Sequence, residues 1–103
     1  MPCEDVVAET LNPEGRIVRL ERTTWEHLLR RHPVLEAAAD EIMLTIAFPD
    51  YREPDPRPGR ERYFRRLARF GWLRVVTEFA GQTDRIVTAF PQANHPHERG
   101  STR

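Results

Sequence analysis

The stretch WEHLLRRHPVL, residues 25–35, places two histidines and two arginines around the predicted end of a helix. An imidazole titrates near neutral pH and is the usual side chain for moving protons in a reaction. His32 falls on the helix face that is predicted to meet a sheet, so a half-buried histidine at a helix junction is the alternative to a proton-transfer role. His27 falls near the opposite face, where it is either solvated or available to bind a substrate.

A block of arginines lies further along the chain. Residues 56–75 carry seven arginines against Glu61 alone, a local charge of +6 in a chain whose net charge is zero. A planar guanidinium binds phosphate through two parallel hydrogen bonds, and aromatic rings stack on unpaired bases. The block holds both kinds of side chain, including Arg62, Tyr63, Arg65 and Trp72. This mixture is typical of single-stranded RNA binding, and a solvated strand face with core aromatics is the alternative.

Two later segments have the alternation of β-strands. In GWLRVVTEF, alternation predicts one face with Leu73, Val75, Thr77 and Phe79, and a second, exposed face with Trp72, Arg74, Val76 and Glu78. In RIVTAF, Thr88 is a favoured strand residue whose hydroxyl is also able to donate to a phosphate oxygen.

Several other chemistries lack their motifs in this sequence. There is no phosphate-binding glycine loop, zinc-ligand spacing, nucleophile elbow or close carboxylate pair, and Cys3 is the sole cysteine. His95 and His97 form only a weak metal motif, with no cysteine nearby. We therefore expect no metal and no cofactor. Histidine, arginine and hydroxyl groups suit attack of a ribose 2′-OH on its neighbouring phosphate, which needs a base, an acid and a cation.

The elements that position these residues follow from turn and helix signals. The pattern predicts a hairpin over residues 6–21 with a turn at Asn12 to Gly15, and a helix that starts at a Thr23–Glu26 capping box. Pro33 suits the start of a second helix that ends by Pro49. The proline-rich residues 49–60 are predicted to be a loop or an irregular edge. Residues 61–67 fit both helical and strand spacing, and we prefer the strand because two strands follow.

This order predicts an α+β domain with two N-terminal helices packed on one face of a four- to five-stranded antiparallel sheet. The length of 103 residues indicates one domain, over residues 1–91, followed by a polar tail, residues 92–103. No apolar run approaches the roughly 18 residues of a membrane span. The acidic N-terminal segment lacks the features of a secretory signal, so we expect a cytoplasmic protein.

Short signatures along residues 17–90 are similar to those of a known family. WEHLLRRHPVL, FPD, RERYFRRL, WLRVV and RIVTAF resemble the small phage- and mobile-element-associated nucleases of the barnase–EndoU–colicin–RelE group. The resemblance implies a metal-independent ribonuclease fold with an open catalytic sheet face. The family's histidine at the end of the first helix matches His32, its basic and aromatic strand matches Arg62, Tyr63 and Arg65, and its last-strand hydroxyl matches Thr88. The sequence departs from the family in having no lysine and no second histidine clearly placed as a partner.

The resulting hypothesis is a metal-independent endoribonuclease, either toxin-like or RNA-processing. His32 is its general acid or base, Arg65 and Arg74 stabilise the phosphorane, Tyr63 stacks on a base and Thr88 binds a phosphate oxygen. Arg62, Trp72 and His27 are further substrate-binding candidates. The expected partners are RNA and, for a toxin-like protein, a cognate inhibitor protein. The alternative is a non-catalytic module that binds nucleic acid or a protein through the same arginine and aromatic sheet face.

Overall fold

The computed structural model describes residues 5–94, which form six strands and two α-helices in one sheet-based domain. The elements in chain order are β1 (Val6–Leu11), β2 (Ile17–Glu21), α1 (Arg22–Arg31), a 3₁₀ turn (Pro33–Leu35), α2 (Ala39–Ala47), β3 (Tyr51–Pro54), β4 (Arg60–Leu67), β5 (Gly71–Ala80) and β6 (Thr83–Gln92). Within this part of the chain, neither helix has the length and apolar character needed to cross a lipid bilayer. The predicted tail begins at Gln92, the last residue of β6, and its residues 95–103, with His95 and His97, lie outside the described residues.

The sheet differs from the predicted one in strand number and direction. Its six strands lie in the order β1-β2-β6-β5-β4-β3, and β2 pairs with β6 in parallel, so the sheet is mixed. The prediction of a four- to five-stranded antiparallel sheet was therefore wrong. The additional strand is β3, which comes from the proline-rich segment and lies at the edge of the sheet. Pro54 is tolerated at its end because an edge strand pairs on one side only, so a missing backbone N–H breaks no hydrogen bond to a second neighbour. The parallel pair arises because both helices separate β2 from the later strands.

The N-terminal hairpin is confirmed, and Asn12 organises its turn. The backbone N–H of Gly15 donates to the Asn12 carbonyl at 2.9 Å. The Asn12 side-chain oxygen accepts hydrogen bonds from the backbone N–H groups of Glu14 and Arg16. Gly15 has a φ of +86°, which glycine adopts without steric cost. This turn fixes the pairing of β1 with β2.

The helices begin at different residues from those predicted. α1 begins at Arg22, and Glu21 precedes it without a side-chain cap, so the Thr23–Glu26 capping box is not formed. α1 ends at Arg31, as expected for a residue so close to a proline. Pro33 starts only a 3₁₀ turn, and α2 begins later, at Ala39.

The hydrophobic core lies between the helices and one face of the sheet. Its fully buried members are Val18, Leu20, Leu28, Leu35, Ala38, Ile42, Ile46, Tyr63, Leu73, Val75, Ile86 and Ala89. Leu73, Val75 and Thr77 are buried as the alternation of β5 predicts, whereas Phe79 beyond them is exposed. The strand interpretation of residues 61–67 is also confirmed, because β4 covers them. We call this side of the sheet the core face.

The opposite side, which we call the outer face, carries Trp72, Arg74, Thr88 and Phe90. Arg74 of β5 pairs directly with Phe90 of β6, and side chains paired across neighbouring strands share a face. α1 lies beside β6 because the pairing between β2 and β6 covers only two positions, after which the chain turns into the helix. The second half of β6 is therefore bordered by α1 rather than by a strand.

Candidate active site

A cavity of about 460 Å³ opens between α1 and β6. Its lining residues are His27, Arg31, His32, Val87, Thr88 and Phe90. Three of them come from the end of the first helix and three from the last strand. Two segments that are distant in the chain, WEHLLRRHPVL (residues 25–35) and RIVTAF (residues 85–90), thus meet at one site.

The helix supplies its three residues by simple geometry. His27 and Arg31 are four residues apart, which places them on the same side of α1. His32 follows the last helical residue, and its backbone is held on both sides, since its N–H donates to Leu28 and its carbonyl accepts from Leu35. These backbone hydrogen bonds hold the junction between α1 and the 3₁₀ turn, and the His32 ring forms no capping hydrogen bond there. The imidazole is therefore left to face β6.

A β-bulge aims Thr88 into the cavity. On the partner strand, Val76 pairs with Thr88 but the next residue, Thr77, pairs with Ile86, so Val87 is an extra residue in β6. Residues two apart in a regular strand share a face. The bulge breaks this rule and lets Ile86 point into the core while Thr88 lies on the outer face with Phe90.

Rings and a guanidinium form a continuous row across the outer face, which we call the stacked row. The His32 and Phe90 ring centroids are 5.8 Å apart. The Arg74 guanidinium lies 5.0 Å from the Phe90 ring and 5.8 Å from the Phe64 ring. The Phe64 and Tyr51 centroids are 5.6 Å apart. The row therefore runs from the cavity across β6, β5 and β4 to the edge strand β3.

Charges on the outer face are neutralised unevenly. Arg62 is held by Glu53 and Asp55, each at 2.8 Å, and its side chain is only 15% exposed. The pKa of Asp55 is lowered by the backbone N–H of Arg57 and by the Arg62 guanidinium. By contrast, Arg31 is exposed at the cavity and has no carboxylate partner among residues 5–94. The cavity therefore offers a cation to an anionic ligand.

The structure separates two candidate residues from this cavity. Arg65 pairs with the buried Leu73 and donates from Nη1 to the carbonyl of Phe48 at the end of α2. Arg65 thus lies on the core face, where its positive charge favours the helix C-terminus. It is not among the lining residues of the cavity, so the expected role at a phosphorane there does not fit its position.

Tyr63 also lies on the core face. Its side chain is fully buried, its hydroxyl accepts a hydrogen bond from the Asn12 amide at 3.1 Å, and the Arg52 guanidinium covers its ring at 4.6 Å. Burial raises the pKa of the Tyr63 hydroxyl. No face of the ring is open to an RNA base, so the expected stacking role does not fit this geometry.

The remaining candidates lie on the outer face at different distances from the cavity. His27, His32 and Thr88 line it directly. Arg74 reaches it through Phe90, and Trp72 flanks Arg74 two residues earlier on β5. Arg62 shares the face, but its ion pairs with β3 and the following loop occupy it.

Three lining residues, Arg31, Val87 and Phe90, were not singled out from the sequence, although for two of them the spacing carried a signal. Arg31 is one helical turn after His27, and Phe90 is two residues after Thr88. Both spacings indicate a shared face with a residue already singled out. The signal was present, but nothing in the sequence showed that these two faces meet.

The described part of the chain has no cluster of side chains suited to binding a metal ion. Within residues 5–94, no three His, Cys, Asp or Glu side chains converge closely enough to hold an ion. The His27 and His32 imidazoles also have no hydrogen-bonding side-chain partner among these residues. The cavity as described supplies two imidazoles, a guanidinium and a hydroxyl.

Comparisons with known proteins do not assign a family. No family model matches the sequence, and neither the curated proteins nor the solved structures include a significant match. The resemblance to the barnase–EndoU–colicin–RelE nucleases therefore stays a prediction, and the function is argued from the cavity itself.

Proposed function

We propose that this protein is a metal-independent endoribonuclease whose active site is the cavity between α1 and β6. The observation that carries the proposal is the convergence of His27, His32, Arg31 and Thr88 on one cavity. Cleavage of RNA by attack of its own 2′-OH needs two proton-transfer groups and a cationic group beside the phosphate oxygens. Two imidazoles and one guanidinium meet that need without a metal ion.

The reaction balances with these groups. One imidazole takes the proton of the ribose 2′-OH, and the O2′ lone pair forms a bond to the adjacent phosphorus. The P–O5′ bond breaks, and the second imidazole, as imidazolium, gives its proton to O5′. The products are a 2′,3′-cyclic phosphate and a free 5′-OH, and hydrolysis of the cyclic phosphate or proton exchange with water resets the histidines.

The other lining groups stabilise charge. The Arg31 guanidinium neutralises the two non-bridging phosphate oxygens, whose charge rises as the pentacovalent state forms. The Thr88 hydroxyl donates to one of these oxygens. Phe90 presents a ring beside His32, on which the base next to the scissile phosphate is able to stack.

The direct test is RNA cleavage by the full chain in the presence of EDTA. We expect products that end in 2′,3′-cyclic phosphate, and no cleavage of the same oligonucleotide with a 2′-deoxy sugar at the scissile position. Removal of one proton-transfer group lowers the rate by a factor of about 10²–10⁴. His32→Ala and His27→Ala should each show a loss of this size.

Adjacent arginines provide a matched control. Arg30 and Arg31 are both exposed in the last turn of α1, but only Arg31 lines the cavity. Arg31→Ala should lower cleavage, and Arg30→Ala should leave it near the wild-type rate. Intact RNA at high protein concentration, or full activity of His32→Ala, contradicts the proposal.

A second function, nucleic-acid binding without cleavage, is favoured by the partly exposed Phe90, Arg74 and Trp72, because these side chains extend the outer face beyond the cavity. In that case RNA is retained uncut, and the affinity falls steeply as salt rises because phosphate contacts release counterions. A protein-interaction role predicts no RNA affinity even at low salt. The same cleavage and binding measurements distinguish all three.

A further inference from the structure

The path that a substrate takes away from the cavity is limited by the fold. α1 borders β6 on one side of the cavity, and the sheet continues through β5, β4 and β3 on the other. A strand of RNA bound at the cavity meets a helix in one direction and the outer face in the other. This asymmetry is set by the short β2–β6 pairing, which leaves that edge of β6 to the helix.

The outer face next to the cavity carries the groups that single-stranded RNA uses. Phe90, Arg74 and Trp72 are each partly exposed, and Arg66 of β4 pairs with Trp72 and is exposed. The Asp50 carboxylate accepts from the Arg66 backbone N–H and not from its guanidinium. Rings for stacking therefore alternate with guanidiniums for phosphate along this part of the sheet.

The other end of the outer face is occupied by ion pairs. Glu78 accepts from both Arg60 and Arg85, and these arginines lie on the strands that flank it. Arg62 is held by two further carboxylates. A phosphate there competes with these carboxylates, whereas the exposed Arg66 guanidinium has no carboxylate partner among residues 5–94, so the path toward Arg66 is the favoured one.

Resting on the proposed function, we propose that the substrate is single-stranded RNA bound on one side of the scissile phosphate only, along a track formed by Phe90, Arg74, Trp72 and Arg66. Neighbouring strands are about 4.8 Å apart, so the distance from β6 to β4 is about 10 Å, the length of roughly two nucleotides. A paired strand does not fit, because its bases are already stacked and their faces cannot reach the rings.

The test uses chimeric oligonucleotides with a single ribonucleotide in a DNA strand, so that cleavage has one possible position. The 5′ and 3′ DNA arms are lengthened separately, one nucleotide at a time, and kcat/KM is measured for each. We expect a gain of about tenfold per added nucleotide on one side, for about two nucleotides, and no gain on the other. Annealing a complementary strand should abolish cleavage. Equal gains on both sides, no gain on either, or undiminished cleavage of the duplex overturns the track.

A binding measurement separates failure of the track from failure of the enzyme. Fluorescence anisotropy with all-DNA oligonucleotides, which cannot be cleaved by this reaction, reports the track alone. Arg66→Gln should weaken binding about tenfold at low salt. Arg57→Gln removes the same charge from an exposed loop position outside the track and should leave binding unchanged.

The two measurements combine without ambiguity. If no chimera is cleaved but binding strengthens with length and depends on Arg66, the nuclease proposal fails and the track remains. If cleavage occurs but Arg66→Gln and Arg57→Gln behave alike in binding, the track fails and the nuclease remains.

Discussion

The His32 imidazole packs against the Phe90 ring, with centroids 5.8 Å apart and planes tilted by 32°. This contact joins the residue that follows α1 to the C-terminal part of β6, and it places the imidazole on the outer face. Phe90 in turn lies 5.0 Å from the Arg74 guanidinium, so one ring touches both a proton-transfer candidate and a phosphate-binding candidate. The cavity and the outer face are thereby parts of one surface.

Replacement of that ring tests its role. Phe90→Leu keeps apolar volume in β6 but removes the flat surface beside His32 and Arg74. We expect kcat/KM for RNA cleavage to fall about tenfold, while the free energy of unfolding falls by less than about 1.5 kcal/mol. Phe79→Leu, at an exposed ring on β5 outside the cavity, is the control and should leave cleavage unchanged. Equal cleavage rates for Phe90→Leu and Phe79→Leu would show that Phe90 has no role in the active site.

The hydroxyl of Thr88 can be removed with little change of shape. Thr88→Val should lower kcat/KM about tenfold or more, because a hydrogen bond to a charged group contributes about 1.5–3 kcal/mol. Thr83→Val, in the same strand but away from the cavity lining, is the matched control. Steady-state cleavage and thermal unfolding of both variants provide the measurement. A loss of stability without a loss of kcat/KM in Thr88→Val assigns the residue to the fold alone.

The buried position of Tyr63 predicts a stability effect without a functional one. Tyr63→Phe removes the acceptor of the hydrogen bond from the Asn12 amide, and Asn12 is itself buried. A buried donor left without an acceptor costs about 1–3 kcal/mol. Urea unfolding should show a loss of this size, and RNA binding should be unchanged once the variant is folded. Weakened RNA binding with unchanged stability would mean that the Tyr63 ring contacts RNA, and this would contradict its position on the core face.

Asp55 predicts a pH dependence of stability. Its pKa is lowered in the folded protein by the Arg57 backbone N–H and by Arg62. The stabilising contribution is therefore complete above the unfolded-chain value of about 3.9 and is lost as the pH falls through the lower folded value. In urea unfolding, the difference between wild type and Asp55→Asn should be largest near neutral pH and shrink in acid. A difference that stays constant from neutral pH into acid contradicts the ion-pair origin. Glu36→Gln, at an exposed position, is the control.

Gly71 starts β5 in a conformation that other residues avoid. Its φ is +83°, and a Cβ atom there would lie 3.3 Å from the Gln92 carbonyl oxygen. Gly81 has a similar φ of +85° with open space around it. The positive φ alone costs a non-glycine residue about 1–3 kcal/mol. Gly71→Ala should therefore destabilise the protein more than Gly81→Ala in equilibrium unfolding, and equal losses would show that the Gln92 contact relaxes freely.

Much of the candidate site was predictable one element at a time. Residue type and position within a helix or strand singled out His27, His32 and Thr88, three of the six residues that line the cavity. The alternation of β5 placed Arg74 and Trp72 on the outer face. Arg65 and Tyr63 were chosen by residue type and by the family resemblance, and neither tells which face of β4 is covered by helices.

The sequence by itself determined the local structure: the Asn12 turn, the end of α1 just before His32-Pro33, and the alternation of β5. Each depends on residues a few positions apart, whose φ preferences and side-chain directions are set by the chain itself. The tertiary structure decided the parallel pairing of β2 with β6, the addition of β3 at the edge and the Val87 bulge that turns Thr88 outward. These three features depend on which distant segments pack together. That packing is decided by the hydrophobic core between the helices and the sheet, and each element contributes only one of its faces to this core.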